Sequence, residues 1–380
     1  MKGTFPIDKF RELRTPFYYY DTKVLRDTLS CIRTEASRYD NYSVHYAVKA
    51  NANPKVLTII RESGLGADCV SGGEIRAAIK AGFPADKIVF TGVGKADWEI
   101  NLGLDYNIFC FNVESILIPN LFSANPVVML ACVCAPTLGL IRKATLATLP
   151  LATASSLIIS SSGMEDMDHV IDVAQEMKNV KFIGLHFHIF HTDTELVFRQ
   201  SGSDVGMRMR DFVALCNRVN ELLDKLEARQ IRIEHVNVGG GLGIDYGHPN
   251  RQPVPDFKSY FETYDNCLKL RSYQTLHFEL GRSVVGQCGS LIAKVLYVKQ
   301  GTNKQFAILD AGMTDLIRPA LYQAFHKIEN ITSDAPQKTY DVVGPICESS
   351  DVFGKAVDLN GVKRGDLIAL RSAGAYGEII

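Results

Sequence analysis

The sequence lacks a net charge of either sign, and this absence excludes one class of partner. Its 380 residues include 41 lysines and arginines against 42 aspartates and glutamates, which gives a formal net charge of −1. Proteins that bind a phosphate backbone usually carry a basic excess. We therefore expect no nucleic-acid partner.

Long hydrophobic runs and paired cysteine motifs are also scarce. The most apolar stretch, 126–141, is short for a membrane span and contains two prolines. The nine cysteines show no paired metal-type spacing, and the opening residues MKGTFPIDKF do not resemble a signal peptide. These absences predict a soluble cytoplasmic protein with reduced thiols, no membrane partner and no metal site.

Strand-like and helix-like segments alternate through the first two thirds of the chain. The run YSVHYAVK is typical of a strand and PKVLTIIRESG of a helix, and the pattern returns in KFIGLHFHI and EHVNVGGG. Such alternation implies parallel βαβ units, and this many repeats favours a barrel. After about residue 275, short runs such as LHFEL and LIALRSAGAY indicate a largely antiparallel β-domain.

We therefore predict an α/β protein with two domains. The first is a (β/α)8 TIM-like barrel over 24–275. The second is a C-terminal antiparallel β-domain formed by 1–23 and 276–380.

One lysine stands where a buried strand should end. Lys49 follows the apolar run SVHYAV, and in a barrel the C-terminal strand ends face the active site. A lysine shielded from water can have a lowered pKa, which leaves a neutral amine able to attack an aldehyde. Position alone leaves open the alternative of a solvated lysine at a strand end.

A glycine triplet ends a later strand-like run. Gly239, Gly240 and Gly241 let the backbone approach a ligand closely and turn several N–H groups toward an anion. The triplet predicts a phosphate site, with a tight turn as the alternative. A nucleotide P-loop is excluded because no Gly-Lys-Ser/Thr follows.

Charged residues near the C-terminal half add further candidates. Glu279 and Arg282 bracket a strand end in ELGR, where a carboxylate could keep a pyridine nitrogen protonated or simply pair with the arginine. Cys347 lies beside Glu348 in the loop GPICESSD, which suits a proton donor with an ammonium anchor, although a lone cysteine is often structural.

Four more positions join the candidate set. Arg318 and Tyr322 are four residues apart, a spacing that suits joint capture of a carboxylate, although a surface arginine is the default. His188 ends a strand and could stack on a flat ring or pack in the core. Tyr376 lies in the Gly-rich turn AGAYG.

As an ordered set, these motifs resemble those of one enzyme family. The runs YAVKAN, GADCVSGGEI, GLHFHI, NVGGGLGIDY, ELGR, DLIRPALY, GPICESSD and AGAYG resemble the diaminopimelate decarboxylases of the alanine racemase-like, fold type III pyridoxal-phosphate family. The resemblance covers 1–115, 164–189 and 211–376. It implies a cofactor-carrying barrel, a C-terminal β-domain, pyridoxal 5'-phosphate as cofactor and a homodimer with shared active sites.

The resemblance also implies a role for each candidate. The cofactor would be held by the aldehyde-binding amine, its supporting carboxylate, a stacking ring, the phosphate glycines, the ring-nitrogen carboxylate and three neighbours: Lys49, Asp68, His188, Gly239, Gly240, Gly241, Glu279, Gly281, Arg282 and Tyr376. The substrate's distal carboxylate would be bound by Arg282, Arg318 and Tyr322, and Tyr376 would close over both cofactor and substrate. From the partner, Glu348 would bind the distal ammonium and Cys347 would protonate the carbon that loses CO2.

The implied reaction is conversion of meso-2,6-diaminopimelate to L-lysine and CO2, the last step of lysine biosynthesis. Glu348 together with Arg282 and Arg318 favours a substrate with an amino-acid group at each end, since related ornithine decarboxylases usually have Asp in place of Glu348. The alternatives are a decarboxylase of another diamino acid, such as carboxynorspermidine or ornithine, and an inactive regulatory homologue.

Two segments depart from the family pattern. The segment 116–163 contains only two charged residues, and in 190–210 Phe190, His191 and Thr192 stand where the family has Gly-Ser-Gln. One hypothesis is that both segments were read out of frame and that the C-terminus is truncated; the other is a divergent homologue. Taken literally, the sequence predicts a damaged barrel strand and helix and a weakly active protein, since a domain's stability is only about 5–15 kcal/mol.

Overall fold

The computed structural model describes residues 4–92, 94–113, 127–134, 171–172, 176, 180–188 and 209–379. The departing segments 116–163 and 190–210 lie outside the described residues, apart from 127–134 and 209–210. The out-of-frame hypothesis therefore stays a prediction.

Eight parallel strands close a barrel, as predicted. The first strand of the chain, β1 (Phe17–Tyr20), lies outside it. The barrel strands are β2 (Tyr42–Ala47), β3 (Gly66–Cys69), β4 (Ile88–Phe90), β5 (Cys110–Val113), β6 (Val127–Cys134), β7 (Val180–His188), β8 (His235–Asn237) and β9 (Thr275–Leu280). Strand β6 forms within the compositionally odd segment and pairs with both β5 and β7, so a barrel strand is present there.

The described helices are α1 (Ile7–Arg11), α2 (Thr22–Ala36), α3 (Pro54–Glu62), α4 (Gly72–Ala81), α5 (Asp97–Asp105), α6 (Met209–Ala228), α7 (Phe257–Cys267), α8 (Arg282–Val285) and α9 (Arg318–Tyr322). Four of them, α2, α3, α4 and α7, begin at a residue whose side chain caps the helix. Ser71 accepts a hydrogen bond from the N–H of Glu74 to start α4, and Gly82 ends it in the left-handed region. In the described ranges, we find no helix long and apolar enough to cross a bilayer.

The barrel core is closed by the apolar faces of its helices. On α6, Phe212, Leu215 and Val219 recur at helical spacing and are fully buried, and α7 adds Tyr260 and Tyr264. Each such side chain contributes about 1.5–3 kcal/mol through removal of apolar surface from water. This packing fixes the strand ends that carry the site.

The second sheet is mixed rather than wholly antiparallel. Its strands are β10 (Gly289–Gln300), β11 (Gln305–Leu309), β12 (Ile328–Asn330), β13 (Gln337–Val343), β14 (Val352–Asn360) and β15 (Leu367–Leu370), and β1 pairs with β10. All pairs are antiparallel except β11 with β13. The prediction of a largely antiparallel sheet is confirmed with this one exception.

The assignment of LHFEL to the β-domain was wrong. These residues form β9, which pairs with β2 and β8 and closes the barrel. Five successive residues of β9 are buried, because both faces of the strand are covered. A strand of this kind shows no alternation of apolar and polar residues, so its sequence does not reveal which sheet it joins. We propose that the domain boundary lies after Leu280 rather than after residue 275.

Three imidazoles form a chain inside the barrel, which we call the imidazole chain. His45 Nε2 lies 2.9 Å from His277 Nδ1, and His277 Nε2 lies 2.9 Å from His235 Nδ1. His45 Nδ1 is 3.2 Å from the carbonyl oxygen of Lys87. Burial lowers the pKa of all three, that of His277 well below its ordinary value. Burial therefore favours the neutral form of all three imidazoles.

Candidate active site

Lys49 lies at the C-terminal end of a barrel strand, as predicted. Strand β2 ends at Ala47, and a 3₁₀ turn over Val48–Ala50 carries the lysine. Asp68 on β3 lies opposite Ala47 in the strand register and is fully buried. Among the described residues no hydrogen bond of normal geometry reaches either carboxylate oxygen, but the Thr91 side chain lies near enough to oppose the rise that burial causes in the pKa of Asp68.

The ionisation of this pair differs from the expectation. Burial lowers the pKa of Lys49, but Asp68, Tyr376 and Glu279 raise it, and the net direction is upward. The expectation of a lowered pKa is therefore wrong in this structure. Burial raises the pKa of Asp68 to about 7, Glu279 adds to the rise and Lys49 opposes it. Lys49 therefore lies near a carboxyl group that burial and the charge of Glu279 make easier to protonate.

Glu279 is the centre of a buried polar cluster at the strand ends. Its Oε1 accepts hydrogen bonds from Asn237 Nδ2 at 2.7 Å and Asn112 Nδ2 at 3.3 Å. Its Oε2 lies 3.0 Å from His186 Nε2. Thr91 Oγ1 lies 3.4 Å from Oε1. Buried donors around one carboxylate favour its ionised form.

The partners of Glu279 were missed in the sequence. Each partner lies within an apolar strand, where a single polar residue does not by itself indicate a site: Asn112, His186 and Asn237. A signal existed for His186, because it lies two residues before His188 and strand residues two apart point to the same face. The structure describes the backbone of His188 at the end of β7, and its predicted stacking role stays a prediction.

The glycine triplet forms a tight loop beside this cluster. Gly239 and Gly241 have φ values of 69° and 107°, and a Cβ on Gly240 would overlap the carbonyl oxygen of Glu279. The loop therefore requires glycine, as predicted. One detail was wrong: the Gly239 N–H donates to Asn237 Oδ1 at 2.9 Å, so it is already engaged and does not face an anion.

Two guanidinium groups converge near the lysine turn. Arg282 Nη1 donates to the hydroxyl of Tyr246 at 2.5 Å. The guanidinium carbons of Arg282 and Arg318 lie 5.1 Å and 5.9 Å from the ring centre of Tyr376. Arg318 is buried. The Tyr376 N–H donates to the carbonyl of Ala50 at 2.8 Å, which ties this aromatic ring to the lysine turn.

The close approach of these groups depends on Gly281. A Cβ there would lie 3.0 Å from Ala50 Cβ and 3.2 Å from the hydroxyl of Tyr376. Two fixed cations beside one tyrosine make a ready binding point for an anionic group.

Three predicted residues stay outside this cluster in the single chain. Tyr322 is 47% exposed although Arg318, on the same short helix, is buried, so the structure places one of the pair inside and the other at the surface. Cys347 and Glu348 are exposed on the loop after β13. Hydrogen bonds from the N–H of Ser350 and the hydroxyls of that loop hold the pKa of Glu348 below its ordinary value.

Comparison with known proteins identifies the family. The model of a family described as "Pyridoxal-dependent decarboxylase, C-terminal sheet domain" matches residues 17–374. The chain belongs to the pyridoxal-dependent decarboxylases. This decarboxylase is 72% identical to the diaminopimelate decarboxylase of Bacteroides thetaiotaomicron, over 100% of this chain and 95% of the relative. It is 36% identical to that of Neisseria meningitidis serogroup B, over 96% of this chain and 83% of the relative.

A solved structure confirms the fold. The diaminopimelate decarboxylase of Helicobacter pylori, complexed with L-lysine, is 31% identical and superposes with a TM-score of 0.81, over 98% of this chain and 89% of that chain. The (β/α) barrel with a separate sheet domain is therefore the fold of this decarboxylase and its relatives.

The residues of the site fit pyridoxal phosphate, the cofactor of the family. Asp68 offers two buried carboxylate oxygens with no hydrogen bond of normal geometry among the described residues, and the loop at Gly240 has no room for a side chain. An amine at Lys49 and a buried carboxylate at Glu279 lie at strand ends of the same barrel mouth. These are the groups that an aldehyde, a phosphate and a pyridine nitrogen require.

Proposed function

We propose that this decarboxylase converts meso-2,6-diaminopimelate to L-lysine and CO2, the last step of lysine biosynthesis. The observation that carries the substrate assignment is the pair Arg282 and Arg318, held around Tyr376 beside the turn of Lys49. A substrate with a second carboxylate, far from the reacting carbon, gives this pair an anion to bind. The names of the relatives support the same substrate.

Within this proposal, each residue at the barrel mouth binds one part of the cofactor. Lys49 would bind the aldehyde, Glu279 would pair with the ring nitrogen, and the backbone at Gly240 and Gly241 would bind the phosphate. Pyridoxal phosphate, when bound, accepts the electrons that remain on the substrate when CO2 leaves. The donors around Glu279 keep this carboxylate ionised, so it holds a proton on the ring nitrogen and strengthens that electron acceptance.

The remaining residues orient the substrate and move its proton. Arg282 and Arg318 fix the distal carboxylate, so the opposite end of the substrate is directed to the cofactor. We propose a homodimer in which Glu348 of the partner subunit binds the distal ammonium and Cys347 of the partner subunit gives a proton to the carbon that has lost CO2. The exposure of this loop on its own chain supports the shared site.

Borohydride trapping tests the cofactor assignment. Purified protein reconstituted with pyridoxal phosphate should absorb as the lysine-bound cofactor, and reduction should leave a phosphopyridoxyl group on the peptide that contains Lys49. Lys49→Ala should lose the band and the label, while the exposed neighbour Lys55→Ala should keep both. Labelling at another lysine, or none, would refute the assignment.

Substrate comparison tests the reaction. CO2 release from meso-diaminopimelate should exceed release from ornithine and carboxynorspermidine, which lack a second amino-acid group at the distal end. Arg318→Leu should raise KM for diaminopimelate and should change turnover of ornithine much less, because ornithine has no distal carboxylate. Equal loss for both substrates would contradict the role of Arg318. No CO2 release from any of the three would favour the inactive regulatory homologue.

We also propose a cytoplasmic location. The seven cysteines whose side chains the structure describes are all free thiols, which suits a reducing compartment. Fractionation of cells that express the tagged chain, with thiol labelling before and after reduction, would test this.

A further inference from the structure

The loop that carries Cys347 and Glu348 has almost no hydrophobic anchoring. Six successive residues, 345–350, are exposed, and only the flanking Gly344 and Asp351 are buried. A surface loop without buried apolar side chains has many accessible conformations. Restricting its backbone to one of them costs about 1–2 kcal/mol of conformational entropy per residue. Something other than core packing must fix the shape of this segment.

Asp351 supplies the missing anchoring through four hydrogen bonds. Its Oδ1 accepts from the N–H of Met313 at 2.7 Å, and its Oδ2 accepts from the N–H of Ile346 at 2.8 Å. Its backbone carbonyl accepts from the N–H of Gly344 at 3.1 Å, and its own N–H donates to the carbonyl of Glu348 at 3.1 Å. One residue therefore joins both ends of the loop and the turn after β11.

The surrounding glycines leave room for this carboxylate. A Cβ on Gly344 would overlap both carboxylate oxygens of Asp351. A Cβ on Gly312 would lie 2.8 Å from Ile346 Cδ1 and 3.4 Å from Asp351 Oδ1. The backbone at Gly312 and Gly344 can approach the Asp351 carboxylate this closely because glycine has no side chain.

We propose that Asp351 is a positioning residue that holds Cys347 and Glu348 in the shape required by the active site of the partner subunit. The inference rests on the proposed function, because that function gives the loop its role in a shared site. Without the carboxylate, the N–H groups of Met313 and Ile346 lose their acceptor and turn to water. The loop then samples other conformations, and the proton donor and ammonium anchor leave their productive positions.

The expected effect is kinetic. A displacement of about 1 Å of a catalytic group can lower a rate about 100-fold, so Asp351→Ala should lower kcat/KM by about 10- to 100-fold. Asp351→Asn keeps one acceptor oxygen but points an NH2 at the second N–H group, so it should fall between Ala and wild type. Both variants should keep the borohydride label at Lys49, because the cofactor site lies in the barrel.

Subunit mixing separates a role in the partner's site from simple loss of folding. Lys49→Ala and Asp351→Ala chains carrying different tags are co-expressed and the heterodimer is purified. It contains one site with an intact Lys49 and an intact loop, so activity should recover to about half of wild type per dimer. The matched control is a heterodimer of wild type with a Lys49→Ala/Asp351→Ala chain, in which no site has both groups and activity stays low.

A parallel pair, Lys49→Ala with Cys347→Ala, distinguishes the two possible failures. If neither pair recovers activity, the shared site and the proposal built on it are both refuted. If the Cys347 pair recovers and the Asp351 pair does not, the shared site stands and the role of Asp351 is refuted alone. Hydrogen exchange gives a readout besides activity: Asp351→Ala should speed exchange at Met313 and Ile346 and leave β13 and β14 unchanged, and unchanged protection at both amides would also refute the role.

Discussion

Replacement of Asn237 by Asp tests the buried cluster around Glu279. Asn237 is fully buried, donates to Glu279 Oε1 at 2.7 Å and accepts from the N–H of Gly239 at 2.9 Å. Asp has the same shape and keeps the second bond. It replaces the first donor with a carboxylate oxygen that faces another carboxylate. Two buried carboxylates at this distance cannot both ionise, so the folded variant must hold an extra proton.

The sign and size of the effect follow from proton linkage. The folded variant binds one more proton than the unfolded chain at any pH above the ordinary Asp pKa of about 3.9 and below the raised pKa of the pair. As the pH rises through that window, its free energy of unfolding therefore falls, relative to wild type, by about 1.4 kcal/mol for each pH unit. Between pH 5 and pH 7 the loss is about 2.7 kcal/mol if the raised pKa lies above 7.

Urea unfolding at several pH values measures this loss. Asn237→Ala is the matched control: it removes a donor to Glu279 and the acceptor of the Gly239 N–H, each loss costing about 1–3 kcal/mol. It adds no second carboxylate, so its cost should change much less between pH 5 and pH 7 than that of Asn237→Asp. The comparison with wild type cancels the titration of other groups, including Asp68. Parallel stability curves for Asn237→Asp and wild type would show that Asn237 does not contact Glu279, and the reasoning about the cluster would be wrong.

Three further substitutions test separate parts of the structure. Asp68→Asn removes a carboxylate that raises the pKa of Lys49, so competitive amine labelling of the cofactor-free protein should give a lower Lys49 pKa than in wild type, and an equal value would exclude their contact. Wild type should lose stability below about pH 6.5, because the histidines of the imidazole chain bind protons in the unfolded chain and not in the folded one. In urea titrations, His277→Gln should therefore lose less free energy of unfolding than wild type between pH 7 and pH 5. Gly240→Ala should cost about 1–3 kcal/mol through overlap with backbone and should weaken pyridoxal-phosphate binding in a fluorescence titration, whereas Gly94→Ala, which has open space around it, should do neither.

The parts of the site that could be predicted are those that a short run of neighbouring residues indicates. Lys49 follows an apolar strand, and the glycine triplet indicates a tight loop; the structure has both at these positions. Asn112, His186 and Asn237 could not be found in this way, because they come from three different strands. Only closure of the barrel brings them within hydrogen-bond distance of Glu279.

The same physical limit explains the errors in the fold. The parallel pairing of β11 with β13 needs a crossover connection, and no local run of residues records which strands will become neighbours. Strand β9 was assigned to the wrong sheet because its composition is that of any buried strand. The upward pKa of Lys49 also depends on neighbours from other strands, since Asp68 and Glu279 offset the effect of burial.

Exposed apolar side chains at the end of α9 and in the Cys347 loop lead to a last prediction, on the proposed homodimer. Leu321 is 47% exposed and Phe325 is 42% exposed, on and just after α9, and Ile346 in the loop is 38% exposed. A second copy that covers them would remove apolar surface from water as it delivers the loop. Leu321→Glu should therefore weaken the dimer, and its activity per chain should fall on dilution while wild type stays constant.

The matched control for this prediction is Tyr297→Glu, at an apolar residue that is 57% exposed on β10, a strand that does not pair with β13 or β14, between which the loop lies. Sedimentation and activity should be measured on the same dilution series, because the shared site requires the two to fall together. High activity from a Leu321→Glu sample that sediments as a monomer would mean that one chain supplies its own proton donor. In that case the loop of Cys347 would have to fold back over its own barrel, and the shared site would be wrong.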